Sequence, residues 1–391
     1  MNKFFLYGLA AIFAISACKK TKKDEPATPT PQGQNEIPTG PDGKGGSIPA
    51  TSDIYLFGKN GLPSSNYVLW TADAKFDNFL NYDLSPMAIE GLFIQGNKLN
   101  ASKSVNFFGS HMISQNKYRI SYFSKDKYYH LAEELKVPIS NNFTEAFVAY
   151  AHFQKNLYML AESFGASTMQ YYYRISEKGE FSVHELTPNI DYNLIAGSNN
   201  GAVLAKAEPR LLWTELDIYR DKNKINNFKL EKNGYSFISL LDMQLINDQT
   251  LFFNSSARRD SDESIQYLFI TINLQTKVTR IYTTSHIPAN STVGSVFVSQ
   301  GKPYIPVTAN ATGECFYISL ALSEAGTPTV DKVQLETVAG TTFHADQVFI
   351  EGNDVYVMGG EGDLPCYWKN KKLVRLKHNG VGSGYASDIR K

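Results

Sequence analysis

An excess of charge of either sign is missing from this chain: 38 Lys and Arg stand against 38 Asp and Glu, for a formal net charge of zero. A nucleic-acid binder would carry a basic excess or a basic stripe, so that class is excluded. Nor does the molecule as a whole steer strongly charged partners. Local metal-ligand spacing is missing too. The seven histidines (His111, His130, His152, His184, His286, His344 and His378) form no His-x-x-x-His pair, and the three cysteines form no Cys-x-x-Cys. There is therefore no zinc signature. A Gly-x-Ser-x-Gly nucleophile elbow does not occur, and the glycines between Gly40 and Gly46 precede no helical pattern that could cradle a phosphate. No cofactor and no metal are expected, and no catalytic residue is assigned. Helical periodicity is nearly absent; residues 129–135 alone predict a turn or two.

Aromatic residues are abundant, at 13% with 23 Tyr and 24 Phe, while charged residues fall to 19%. Tyr, Phe, Val, Ile and Thr fit pleated, half-buried strands. The length allows two or three domains, yet large all-β proteins often run as one.

Residues 1–17 form an address. Lys3 supplies a positive start, residues 4–13 an apolar run, and Ile15-Ser16-Ala17 a small-residue cleavage site before Cys18. The run falls short of the roughly 20 residues that span a bilayer core, which makes it a secretory signal peptide. A cysteine directly after Ile-Ser-Ala resembles the bacterial lipobox, and the resemblance implies that Cys18 is lipidated and becomes the new N-terminus. Acyl chains would then hold a soluble protein on a membrane; the alternative is an ordinary signal peptide with an incidental cysteine. Residues 18–50 carry lysines followed by Pro26, Pro29, Pro31, Pro38, Pro41 and a glycine-rich stretch. Such a segment cannot bury a core and is expected to act as a solvated, disordered tether. Lys23-Asp24-Glu25 is similar to the short export signals of Bacteroidota surface lipoproteins, which implies an outer-membrane lipoprotein on the periplasmic or cell-surface face.

From residue 51 to 391 one pattern recurs: an apolar strand, a tight Gly/Asn/Asp turn, a second apolar strand, a polar loop and an aromatic-rich strand. It is clearest in Gly352-Asn353-Asp354-Val355-Tyr356-Val357-Met358-Gly359, followed by Cys366-Tyr367-Trp368. Copies start near positions 53, 105, 156, 201, 250, 303 and 354, with third strands expected at 67–70, 118–123, 171–175, 211–214, 266–272, 315–320 and 366–368. A period near 50 residues suits one four-stranded sheet and lies in the range of β-propeller blades. The expectation is an all-β, seven-bladed propeller of four-stranded blades, closed by pairing residues 386–390 with 54–57 so that the termini share a blade and no sheet edge is left free. Two accidental β-sandwiches are the alternative.

The stretch Asp354-Val355-Tyr356-Val357-Met358-Gly359 with Tyr367-Trp368-Lys369-Asn370-Lys371, Val374 and Leu376 resembles a repeat of Bacteroidota lipoprotein propellers. That likeness covers about 40 residues. Seven-bladed lipoproteins of this phylum include partners of TonB-dependent outer-membrane transporters, some holding siderophores or cobalamin, so it implies a transporter-associated role. It assigns no binding residue.

If the fold is right, the loops joining second to third strands open on one face, and loops on a rigid scaffold commonly carry function. Arg210 in one copy and Arg258 with Arg259 in the next would form a cationic cluster. With Phe164 nearby, they could receive an anionic or aromatic ligand. His111 and His344 could reach the channel mouth. The proposed ligand-binding set is therefore Arg210, Arg258, Arg259, Phe164, His111 and His344; the bland alternative is a solvated rim, neutralised by Asp260, Asp262 and Glu263. Glu90, Glu145, Asp242 and Asp346 stand near the starts of inner strands, where a carboxylate pair from different copies would leave no sequence spacing. Cys315 and Cys366 occupy matching places in neighbouring copies and are expected to be buried free thiols, beyond the roughly 7 Å reach of a disulfide. The function expected is a membrane-anchored protein that captures a small molecule or glycan, or docks on a transporter. A propeller lyase or hydrolase and a purely structural interaction module are the rivals. A His with a Tyr, or two carboxylates, within about 5–10 Å in a deep pocket would favour the enzyme.

Overall fold

The computed structural model describes residues 55–60, 67–71, 74–77, 92–99, 105–124, 127–137, 144–164, 168–322, 328–376 and 384–390. The signal peptide 1–17, Cys18, the tether 18–50 and Glu90 lie outside the described residues.

The chain is an all-β propeller. Among the described residues seven antiparallel sheets follow one another along it, six with four strands each. The first runs in the order Gly384–Arg390, Tyr55–Asn60, Tyr67–Thr71, Ala74–Asp77, so the last strand of the chain pairs with the first, Arg390 opposite Tyr55 and Tyr385 opposite Lys59. Sheets two to five begin with Leu92–Leu99, Thr144–Phe153, Leu194–Ser198 and Tyr235–Asn247, and sheet seven with Phe343–Glu351. Sheet six departs from the expected uniform four strands. Its first strand is split into Thr292–Val293 and Phe297–Ser299, both paired with Lys302–Ala309, which makes five. Gly294 stands in the break, where a side chain would overlap the backbone of Asp346 in sheet seven. Sheet four departs as well: its third strand is Thr214–Arg220 rather than 211–214, because Arg210 to Trp213 form the turn, with the Arg210 N–H donating to the Trp213 carbonyl at 2.7 Å. The expected helical turn is a single one, Leu131–Glu134.

The core is a series of seams. Side chains on facing surfaces of successive sheets interlock: Ile218 and Phe228 with Ile238, Phe253 and Ile270 between sheets four and five, and Phe252 and Phe269 with Ile305 and Phe316 between five and six. Leu56 of the first sheet packs with Tyr356, Met358 and Tyr367 of the last. Burial at roughly 25 cal/mol per Å² of apolar surface drives this packing. Polar side chains then fasten each seam to backbone groups that would otherwise be orphaned. Glu145 accepts the Ile120 N–H at 3.0 Å. Gln170 accepts the Tyr192 N–H at 2.7 Å and donates to its carbonyl at 3.1 Å. Thr214 donates to the Ile238 carbonyl, Asp242 accepts the Val296 N–H at 2.9 Å, and Thr308 accepts the Ala345 N–H at 2.9 Å. Cys315 and Cys366 are buried, free and members of one apolar cluster; burial pushes the Cys315 thiol up to about 11.

Candidate functional site: the central channel

In sheets two to seven the first strand lines the inside of the ring of sheets, and in several of them it is irregular, that of sheet five at three places. The register against the second strand skips one residue: Gln95 in sheet two, Val148 in three, Leu241 in five and Asp346 in seven. A bulge leaves its extra residue unpaired and re-aims the side chain. Opposite the residue before each bulge stands a small one: Gly109 faces Ile94, Ala161 faces Phe147, Ser255 faces Leu240 and Gly359 faces Ala345. The reason is steric. A Cβ at Gly109 would collide with the Phe93 carbonyl, and one at Gly359 with the His344 carbonyl.

The bulges and the break in sheet six line one cavity of about 690 Å³, walled by strands of sheets two to seven. That volume lies within the roughly 300–1,000 Å³ usual for small-molecule sites. Val148 and Leu241 give it apolar surface, and Leu241 is 47% exposed although it sits midway along an innermost strand. Gln95, Ser295 and Asp346 are among its polar lining residues.

Two carboxylates belong to this wall. Asp242 follows the Leu241 bulge and pairs in register with Asn254. Its Oδ1 accepts the Met243 N–H at 2.7 Å, and its Oδ2 accepts the Val296 N–H across the seam. Burial pushes its pKa above the usual carboxylate range, against those hydrogen bonds. Asp346 is itself the bulged residue. Its carbonyl accepts the Ser295 N–H at 2.9 Å, and its Oδ2 lies 3.4 Å from His344 Nε2. Its pKa is also raised by burial, with His344 pulling the other way. Asn254 is 1% exposed, lines the cavity, and its Oδ1 has no hydrogen-bond partner.

None of the residues expected to bind ligand lines the cavity. Arg210 bonds Glu208 at 2.7 Å and is half exposed. Arg258 stacks on Phe237 at 5.0 Å, and Arg259 reaches Asp262 at 3.5 Å. These arginines are on the rim, each engaged by its own neighbourhood, and none lines the channel. Phe164 ends its strand at the same rim, 42% exposed. His111 is not in a loop: it lies inside Val105–Ser114, 3% exposed, its ring stacked on His130 at 5.2 Å. The second strand of sheet two runs longer than the apolar pattern suggested, which carries His111 into the seam. His344 is where it was expected, in the second position of an innermost strand, and it serves the channel through Asp346.

Glu145 is a buried strut, accepting hydrogen bonds from the Tyr171 and Tyr173 hydroxyls at 2.7 and 2.8 Å. Burial raises its pKa, the hydrogen bonds opposing. Tyr150 and His152 lie 5.7 Å apart on the channel wall, but both rings pack on Phe108, at 5.1 and 6.0 Å, so the pair belongs to a seam. Among the described residues no group of three or more His, Cys, Asp or Glu is placed to hold a metal ion.

No protein-family model and no curated protein matches the chain. Solved structures similar to it include a prolyl endopeptidase (13% identity, TM-score 0.45, covering 73% of this chain and 42% of that one). Others are the polysaccharide lyase Uly1 (11%, TM-score 0.46, 89% and 94%) and the β-propeller domain of Nup133 from Vanderwaltozyma polyspora (12%, TM-score 0.39, 82% and 88%). The chain thus spans less than half the length of the peptidase. At these identities the likeness concerns the fold, and no property of those proteins transfers to this one.

Proposed function

We propose that this chain is a membrane-anchored binding lipoprotein that holds a small molecule or glycan in its central channel. In this account Cys18 carries the anchor, residues 18–50 form the tether, and the seven sheets make a closed seven-bladed ring in which Gly384–Arg390 and Tyr55–Asn60 share a blade. The observation that carries it is the cavity of about 690 Å³ lined by side chains that bulges turn inward. Bulges cost ladder hydrogen bonds, and they recur next to functional sites.

Docking on an outer-membrane transporter is supported by a separate observation. In an antiparallel sheet the starts of strands one and three and the ends of strands two and four share one end. Of twelve exposed large apolar side chains among the described residues, nine stand at that end: Phe93, Ile113, Phe164, Leu211, Leu212, Phe237, Ile265, Val338 and Leu364. Ile225 and Val278 are at the other end, and Leu241 is in the channel. Apolar surface gathered on one face suits a protein partner.

Mass spectrometry of material released on denaturing the purified protein tests the binding function. The wild type is expected to release one defined compound, and Leu241→Trp, which puts a bulkier side chain into the channel, markedly less. An empty wild type, or equal release from both, would contradict it. Cys18→Ser is expected to move the protein from the membrane to the soluble fraction.

A further inference from the structure

The channel wall has a chemical sign. Among the described residues it contains two aspartates, Asp242 and Asp346, one histidine, His152, and no lysine or arginine. Walls of low dielectric lined by one sign of charge concentrate ions of the other sign and repel their own. Anions are therefore disfavoured inside, whatever the rim arginines do.

The two aspartates are also close in the fold. Asp242 holds the Val296 N–H, and the Asp346 carbonyl holds the N–H of the preceding residue, Ser295. Both thus flank the same break in sheet six, one from each neighbouring sheet. Across the ladder from Asp242 is Asn254, whose Oδ1 is buried and unbonded. Buried acceptors in native proteins are nearly always bonded, and one left open at a cavity calls for a donor from what fills the cavity. A carboxylate has about four acceptor positions; Asp242 uses three, for the Met243 and Val296 N–H groups and the Gln244 amide at 3.4 Å, and Asp346 meets only His344 among the described residues, so neither is exhausted. Leu241, adjacent to Asp242 in sequence, offers an exposed apolar side chain to the same space, and Val148 another.

We propose that the channel receives a ligand bearing a hydrogen-bond-donating ammonium group on an apolar body, the ammonium set against Asp346, Asp242 and the Asn254 Oδ1, the carbon skeleton against Leu241 and Val148. This rests on the channel being the binding site. Charge-assisted hydrogen bonds to carboxylate supply the orientation. The apolar surface supplies an area-dependent term that does not discriminate by charge.

Three probes of one shape separate the contributions: phenethylammonium, 3-phenylpropionate and 2-phenylethanol, titrated calorimetrically into the full chain. Phenethylammonium is expected to bind at least about tenfold tighter than the other two. Asp346→Asn should remove most of that preference, Asn254→Leu should weaken phenethylammonium binding, and Leu241→Trp should weaken all three. A thermal midpoint close to wild type in Asp346→Asn excludes misfolding as the cause. If 3-phenylpropionate or 2-phenylethanol binds as tightly as the amine and Leu241→Trp still weakens them, the ammonium assignment is overturned while the channel stands. If no probe binds at about 10 mM, or Leu241→Trp leaves the affinity of every probe unchanged, the assignment and the binding channel fall together.

Discussion

Glu145 and Asp346 both occupy the first half of an innermost strand, yet the fold uses them in opposite ways. Glu145 is turned into the seam between sheets two and three, where two tyrosine hydroxyls and one backbone N–H satisfy it at 2% exposure. Asp346 is the extra residue of a bulge and faces the channel, with one partner at 3.4 Å. Relative to the bulge, Glu145 stands three residues earlier than Asp346, at the place that Phe343 holds in sheet seven. Because side chains alternate along a strand, one inserted residue reverses which face a position serves. An acid on an inner strand is thus a strut or a ligand contact according to the local bulge, not according to its type.

The largest effect that would sharpen this contrast is on Glu145. Glu145→Ala leaves three buried donors without an acceptor, and the expected loss in urea unfolding is about 3 kcal/mol or more. A loss below about 1 kcal/mol, the usual size for a point substitution, would put Glu145 on the same footing as Asp346.

Next in size is a pH effect at Asp346. Burial raises its folded pKa above the unfolded value. The folded state therefore holds the proton more tightly, and this contribution to stability is complete below the ordinary carboxylate pKa near 4 and is lost as pH rises through the folded value. The midpoint of Asp346→Asn minus that of wild type is expected to grow in favour of the variant as pH rises through that window. A difference that stays flat, or turns against the variant, would break the assignment.

The smallest effects belong to the rim. Arg210→Ala and Arg259→Ala remove exposed pairs worth roughly 0–1 kcal/mol, and each should shift stability by no more than about 0.5 kcal/mol. Neither should alter ligand release from the channel. Loss of ligand in either would restore the rim as part of the site.

The repeat was legible because apolar strands recur: starts expected near 105, 156, 201, 250, 303 and 354 fall within a residue of the second strands beginning at Val105, Asn156, Gly201, Thr250, Lys302 and Asp354. The channel was not, because its side chains are selected by register. Sequence placed Asp242 and Asp346 near inner-strand starts but gave no reason to prefer them to Glu145, and it passed over Leu241, Val148, Gln95 and Asn254. A signal was nonetheless present. Second strands carry a small residue at a fixed place, Gly109, Ala161, Ser255 and Gly359, and each marks the bulge opposite. The rim arginines drew attention because charge clusters are visible in a sequence, whereas their partners Glu208 and Asp262 become decisive only in the folded loops. His111 was misplaced because the pattern of apolar residues does not show where a strand of mixed composition ends.

The central claim, that bulges aim side chains into an open channel, is tested most directly by thiol labelling at two inner-strand sites. Leu241→Cys, at a bulge, is predicted to react with a methanethiosulfonate reagent at the rate of an accessible thiol. Ala345→Cys, one residue before the corresponding bulge and 0% exposed, should stay unmodified until the protein is denatured, as should the native Cys315 and Cys366. Protection of Leu241→Cys, or equal labelling at both sites, would contradict the account.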